Sequence, residues 1–314
     1  MRFLWLLCML LAWSHGVAAR KSIPPEHVIS NVESCIVNAE QCFAITRQLQ
    51  LNSVKSTREW YRATYLLMNA WWELERLSLP VDTFAEYAAM PDSPAVFRAT
   101  AFTVYAKLLL NKGDKTKGTL YADKATSLIL EMPESALTPR RMSEVIILNQ
   151  YLGNYERAQA LSDNALERFA DIKNSYVKAE LLTAAAHNAY HFKRYDNAIE
   201  LYLKAAEANL KMGSILNAAV CHTNSGRAYQ LSEDWENAEK EFRRSLGLYK
   251  ELGHKEPVRD VFYVRLRLAE VLISLGSIDE ARELAASVSK ENLHKYHHRV
   301  YDTLADKLSA FPDK

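Results

Sequence analysis

The chain has 314 residues, with 39 Lys and Arg against 38 Asp and Glu, so its formal net charge is only +1. A nearly neutral chain has no global field to draw it to nucleic acid or to an anionic membrane surface, and none of its candidate helices carries an uninterrupted basic stripe. Its apolar segments recur at three to four residues and none alternates strictly over a strand length, which predicts an essentially all-α protein without sheet.

Residues 1–19, MRFLWLLCMLLAWSHGVAA, hold one Arg, an apolar run from Phe3 to Trp13, and small residues at Val17 and Ala19. This composition reads as a secretory signal peptide cleaved after Ala19. A membrane anchor competes, but the run is about half of the roughly 20 residues a spanning helix needs. Leu6 and Leu7 precede Cys8, where a lipoprotein signal would have small residues. The expectation is an exported chain, periplasmic in a Gram-negative bacterium with secretion as the alternative, and without stable membrane insertion.

After processing, Cys35, Cys42 and Cys221 remain, and an oxidising compartment invites a disulfide. In one continuous helix, Cys35 and Cys42 would have Cα atoms about 10.5 Å apart, beyond the roughly 4.4–6.8 Å a bridge spans. They can pair only across a turn, which residues 38–41 would supply. The alternative is two half-buried thiols on one helical face. Cys221, at an apolar position near the start of a helix, reads as an inert core thiol.

Residues 57–79 predict a long helix with Trp60, Leu67, Trp71 and Leu74 on one face, ended by Pro80. Residues 81–90 predict a short partner helix, and Pro91 to Pro94 punctuate the entry to a more regular region. Residues 20–98 thus form degenerate N-terminal hairpins. The Trp71-Trp72 pair places one indole inward and one sideways, as filling between hairpins or as a stacking platform for a ligand.

From about residue 99 the chain repeats itself. Its clearest copy, VCHTNSGRAYQLSEDWENAEKEFRRSLGLYKELG, predicts two amphipathic helices over 220–231 and 236–252, separated by the polar turn Ser232-Glu233-Asp234. Small residues Gly226, Ala238 and Ser245 suit a close helix crossing, and Tyr229, Trp235 and Phe242 are large enough to fill the space between the helices. Ala186, Tyr195, Ala198, Tyr202 and Ala205 stand about 40 residues earlier; Gly153, Tyr155, Ala158 and Ala165 extend the series back again. Further steps reach Ala106, Gly113, Gly118, Ala122 and Ala125 on one side and Ala269, Gly276, Ile278, Ala281 and Val288 on the other. The repeats are 99–138, 139–178, 179–218, 219–261 and 262–292. Residues 293–314, with Val300, Leu304 and Leu308 at helical spacing, predict a capping helix over 291–311 that covers the last apolar face.

The pattern Gly226, Tyr229, Trp235, Ala238, Phe242, Ser245 resembles the tetratricopeptide repeat, which places small and aromatic residues at these positions of a helical hairpin. The resemblance covers 99–292 and implies a right-handed α-solenoid of antiparallel hairpins. A step near 40 rather than 34 looks like a long-helix bacterial variety, in which the second helix runs on through a segment such as 248–260.

The family also implies an inner, concave face lined by fixed positions of each first helix. In this register they are Lys107, Asn111, Arg140, Glu144, Thr183, His187, Tyr190, Thr223, Asn224, Arg227, Tyr263, Arg267 and Glu270. Polar and aromatic side chains there suit a peptide or protein partner held by side-chain hydrogen bonds. Some family members clamp a chaperone's terminal carboxylate with two Asn, two Lys and an Arg. Only Asn224 and Arg267 match that set, and Thr183, His187 and Tyr263 stand in the other places, so that specificity does not carry over.

No glycine-rich phosphate loop, nucleophile elbow or His-Glu-x-x-His helix occurs, and no catalytic residue or cofactor is expected. His187 with His191, and His294 with His297 and His298, have spacings that put imidazoles on one helical face. Without a Cys or carboxylate at fixed spacing, a solvated surface outweighs a metal site. The sequence therefore reads as an exported, non-enzymatic scaffold that binds a protein or peptide in its concave groove. The alternative is a sensor or accessory protein that binds a small ligand and regulates a membrane signalling receptor of the kinase or diguanylate cyclase type.

Overall fold

The computed structural model describes Val32, Cys35 and residues 39–311, apart from 76–78, 172–174 and 254–257. The expected signal peptide at 1–19 lies outside the described residues, among which no helix is long and apolar enough to cross a membrane. The described chain is a succession of α-helices without strands. They are α1 Ala39–Asn52, α2 Arg58–Glu75, α3 Val81–Ala88, α4 Ala95–Asn111, α5 Lys115–Leu130, α6 Pro139–Tyr151, α7 Tyr155–Arg168, α8 Ser175–His191, α9 Tyr195–Lys211, α10 Ile215–Leu231, α11 Trp235–Glu251, α12 Val258–Ser274, α13 Ile278–Ala286 and α14 His298–Ser309.

From α4 onward, successive helices pair as hairpins, and each hairpin packs on the next. The small residues lie at the crossings: Ala106, Ala122, Ala158, Ala165, Ala186, Ala198, Ala205, Ala238 and Ala281 are fully buried. Tyr202 and Phe242 fill the space between their helices and are at most 2% exposed. This is an all-α solenoid. Hairpins begin at Ala95, Pro139, Ser175, Ile215 and Val258, so the expected repeat starts at 99, 179, 219 and 262 each fall four residues inside a first helix.

One backbone device ends every first helix of the array. Gly113, Gly153, Lys193, Glu233 and Gly276 all have φ between 57° and 87°. In each case this residue's N–H donates to the carbonyl three residues back and the next residue's N–H to the carbonyl five back, as in Gly153 to Gln150 and Asn154 to Asn149. This Schellman arrangement satisfies the last carbonyls and reverses the chain within three residues. The following residue caps the second helix, with Asp114 and Asp234 accepting from the backbone N–H groups of Lys117 and Asn237.

Three expectations are corrected. The long repeat does not arise from a second helix running on through 248–260, because α11 stops at Glu251 and Gly253 takes a positive φ. Both helices are long instead, α8, α9, α10 and α11 having 17 residues each. The cap is not one helix over 291–311: two short 3-10 turns, Lys290–Asn292 and Lys295–His297, precede α14. Leu293 between them is extended and only 5% exposed, so its insertion into the core breaks the helical path. His294 and His297 therefore share no α-helical face with His298.

At the N-terminal end, Cys35 and Cys42 form a disulfide, their Cα atoms 5.1 Å apart. Ala39, Glu40 and Gln41, expected within the turn, are already in α1. The bridge packs on Leu66 and Ala70 of α2. Beside it Trp60, Tyr61, Phe84, Tyr87 and Phe97 interlock edge to face, with centroids at most 5.9 Å apart.

Candidate ligand-binding groove

A groove of about 850 Å³ runs along α2, α4, α6, α8 and α10, within the range of small-ligand and peptide sites. Lys107, Arg140, Glu144, Thr183, His187, Tyr190, Asn224 and Arg227 all line it, as the register of the first helices predicts. Five expected residues do not. Thr223 is 6% exposed, donating to the Ala219 carbonyl and bonding the Ser245 hydroxyl at 2.7 Å inside its hairpin. Asn111 lies past the groove wall, at the end of α4. Tyr263, Arg267 and Glu270 stand beyond the groove's C-terminal end, joined to it through Arg227.

The N-terminal half is a charged network. Arg140 donates to Asn69 Oδ1 at 2.7 Å and Glu180 Oε1 at 3.1 Å, and its Nε lies 3.6 Å from Glu144. One guanidinium thus ties α2, α6 and α8 together. Trp72 faces the groove, with the Lys107 ammonium 5.0 Å above its ring, while Trp71 turns inward onto Phe43 and Phe84. The Thr103 hydroxyl is buried in this wall without a hydrogen-bond partner among the described residues.

The middle is held by amides. Gln150 Nε2 donates to the Ala184 carbonyl and to Asn188 Oδ1, and Asn188 Nδ2 donates to the Ser162 hydroxyl. Cys221 is 2% exposed, near Thr183 and Asn209, and burial pushes its thiol up to about 11, leaving it protonated and unreactive.

The C-terminal half is aromatic and cationic. The Arg227 guanidinium lies 5.2 Å from the Tyr190 centroid and 5.9 Å from that of Tyr263, and no side-chain acceptor among the described residues reaches it. His187 stands edge-on to Tyr202 at 5.6 Å, and its pKa is pushed down to about 4 by desolvation and then by Arg227. The residue is exposed on the groove surface, so solvent screening discounts this shift. His191 lies flat on Tyr155 at 3.4 Å, so the two imidazoles serve different rings. Among the described residues no cluster of His, Cys, Asp and Glu is placed to hold a metal ion.

Sequence reasoning missed Asn69, Gln150, Glu180 and Lys193 in the lining. Extending the inner stripe by one helical turn from Thr183 would have reached Glu180; Gln150 lies six residues beyond Glu144, and Asn69 belongs to a hairpin outside the regular repeats.

No protein-family model matches the sequence, and no curated protein matches it. Solved structures do. The chain is similar over 91% of its length to a Rap protein complexed with Competence and Sporulation Factor, with TM-score 0.62, 10% identity and 76% of that chain covered. It is similar over 91% of its length to a signal transduction ATPase with a tetratricopeptide repeat sensor from Pyrococcus horikoshii, with TM-score 0.63, 12% identity and 42% of that chain covered. Aspartyl phosphate phosphatase F from Bacillus subtilis matches over 95% of this chain and 79% of its own, with TM-score 0.53 and 14% identity. The fold is that of a tetratricopeptide-repeat α-solenoid.

Proposed function

We propose that this chain is an exported, non-catalytic scaffold whose concave groove holds an extended or helical segment of a protein or peptide. The observation that carries the reading is the groove itself: polar, charged and aromatic side chains from five inner helices converge on one continuous space. Such a lining suits a peptide, whose backbone and side chains need many directed hydrogen bonds. The disulfide between Cys35 and Cys42 supports export, because such bridges persist in oxidising compartments. A Rap protein of similar fold was solved with a bound factor, which agrees with the groove as a binding surface.

The test is a photo-crosslinking amino acid placed at Gln150 in the groove and, separately, at Lys240 on the exposed outer helix α11. Crosslinking in the native envelope should give a protease-sensitive adduct from position 150 and none from position 240. Adducts from both positions, or none, would overturn the groove. A protease-resistant adduct from position 150 would support the small-ligand sensor instead.

A further inference from the structure

Beyond the groove's C-terminal end, where α10 and α12 meet the 290–297 turn, positive charge gathers around one phenol ring. Arg267 lies 5.3 Å and Arg227 5.9 Å from the Tyr263 centroid, and His297 stacks on the same ring at 4.0 Å. Among the described residues, Glu270 is the carboxylate bonded to this cluster. Glu270 Oε2 accepts from Arg267 Nη1 at 2.8 Å and from Gln230 at 3.3 Å, and its other oxygen lies 3.8 Å from Lys307. Arg267, Lys307 and Arg227 against Glu270 leave two positive charges in excess. Arg227 is moreover fixed between the faces of Tyr190 and Tyr263 with its N–H edge unclaimed by any described side chain. A guanidinium already immobilised by stacking gives up little freedom when an oxyanion docks on its donor fork.

We infer that this cluster is a binding site for a dianionic tetrahedral oxyanion, a sulfate or a phosphoryl group, gripped by Arg227 and flanked by Arg267 and His297. The excess of two charges matches a dianion better than a single carboxylate. The approach is open, since Arg227 also lines the groove. This site adds a ligand chemistry to the proposed groove and is measurable without any partner, so either idea can fail alone.

His297 supplies a proton-linked signature. Its pKa is pushed down to about 4 by burial, then by Arg267, His294 and Arg227. The groups facing it are Tyr263 and Arg267 of α12, Arg227 of α10 and His294 of its own turn. A dianion in their midst offsets the repulsion from both guanidiniums, so binding should draw a proton onto the imidazole and strengthen as pH falls.

Calorimetric titration of the full chain with sodium sulfate tests this at about pH 5 and about pH 8, either side of the ordinary imidazole pKa. Sulfate stays dianionic throughout. Binding should be tighter at the lower pH, and Arg227→Gln should weaken it at least about tenfold at both, with the melting temperature unchanged. His297→Gln should abolish the pH dependence while preserving binding at the higher pH, which a merely structural histidine would not do. Inorganic phosphate at about pH 8 distinguishes the sources, the tighter anion naming the natural group. Absence of sulfate binding, acetate binding as tightly as sulfate, or an Arg227→Gln variant that binds like the parent would each overturn the proposal.

Discussion

Gly226 on α10 and Phe242 on α11 meet so closely that a Cβ built on the glycine would lie 2.9 Å from the phenylalanine ring. The ring is fully buried and cannot retreat. Gly226→Ala should therefore destabilise the protein by about 1–3 kcal/mol through overpacking, although alanine is the better helix former. Gly247, in the exposed part of α11, meets nothing within 4 Å of such a Cβ. Gly247→Ala should stabilise by about 0.5–1 kcal/mol. Thermal melts of the two variants must shift in opposite directions; a common shift would mean that the helix crossing is elsewhere.

The contrast between these two glycines shows what the sequence made legible. Gly226 recurs in register with Ala106, Ala186 and Ala269, because a helix crossing imposes the same size limit in these four hairpins, whereas the α6–α7 hairpin carries the buried Ile146 there. Periodicity exposes such positions. The 293 break was hidden, because Val300, Leu304 and Leu308 keep helical spacing and the demand that bends the chain comes from the pocket that takes Leu293. Within the groove, the stripe from Lys107 to Arg227 followed from the repeat register together with the concave face that the tetratricopeptide resemblance implies. Thr223 could not: the Ser245 hydroxyl that turns it inward belongs to another helix. Lys107 over Trp72 is likewise a contact between different hairpins, which no local pattern encodes.

Lys193 and Glu233 occupy, at φ of 57° and 63°, the position that is glycine at 113, 153 and 276. A side chain in the left-handed region costs roughly 1–2 kcal/mol, partly offset by the smaller entropy that a non-glycine residue loses on folding. Glu233→Gly and Lys193→Gly should each stabilise by up to about 1 kcal/mol. The sites lie in different hairpins, so the double variant should gain the sum. Denaturant midpoints decide this, and a loss of stability in either single variant would contradict the turn geometry.

The disulfide predicts a local response to reduction. Closing a loop of this length is worth about 2–3 kcal/mol on the chain-entropy model. Replacing Cys35 and Cys42 with serine should destabilise the α1–α2 end and leave the groove's C-terminal half protected in hydrogen exchange. In the oxidised native protein Cys221 should resist alkylation, being buried and with its thiol pushed up to about 11. Rapid labelling of the native chain would show that the repeats around α8 and α10 open readily.

Acid should weaken the fold through two histidines. His187 and His297 both have their pKa pushed down to about 4 from 6.5, each by desolvation first and by neighbouring cations second. Between these values the unfolded chain binds protons that the native chain refuses, so stability rises with pH across this window. The contribution is fully present above about pH 6.5 and is lost as pH falls towards 4. Because His187 is exposed, the more enclosed His297 should carry the steeper dependence. The double variant His187→Gln with His297→Gln should flatten the dependence of the urea midpoint on pH relative to the parent, while the midpoint near neutral pH changes little. An unchanged slope would place the acid sensitivity in the carboxylates, whose titration lies at lower pH.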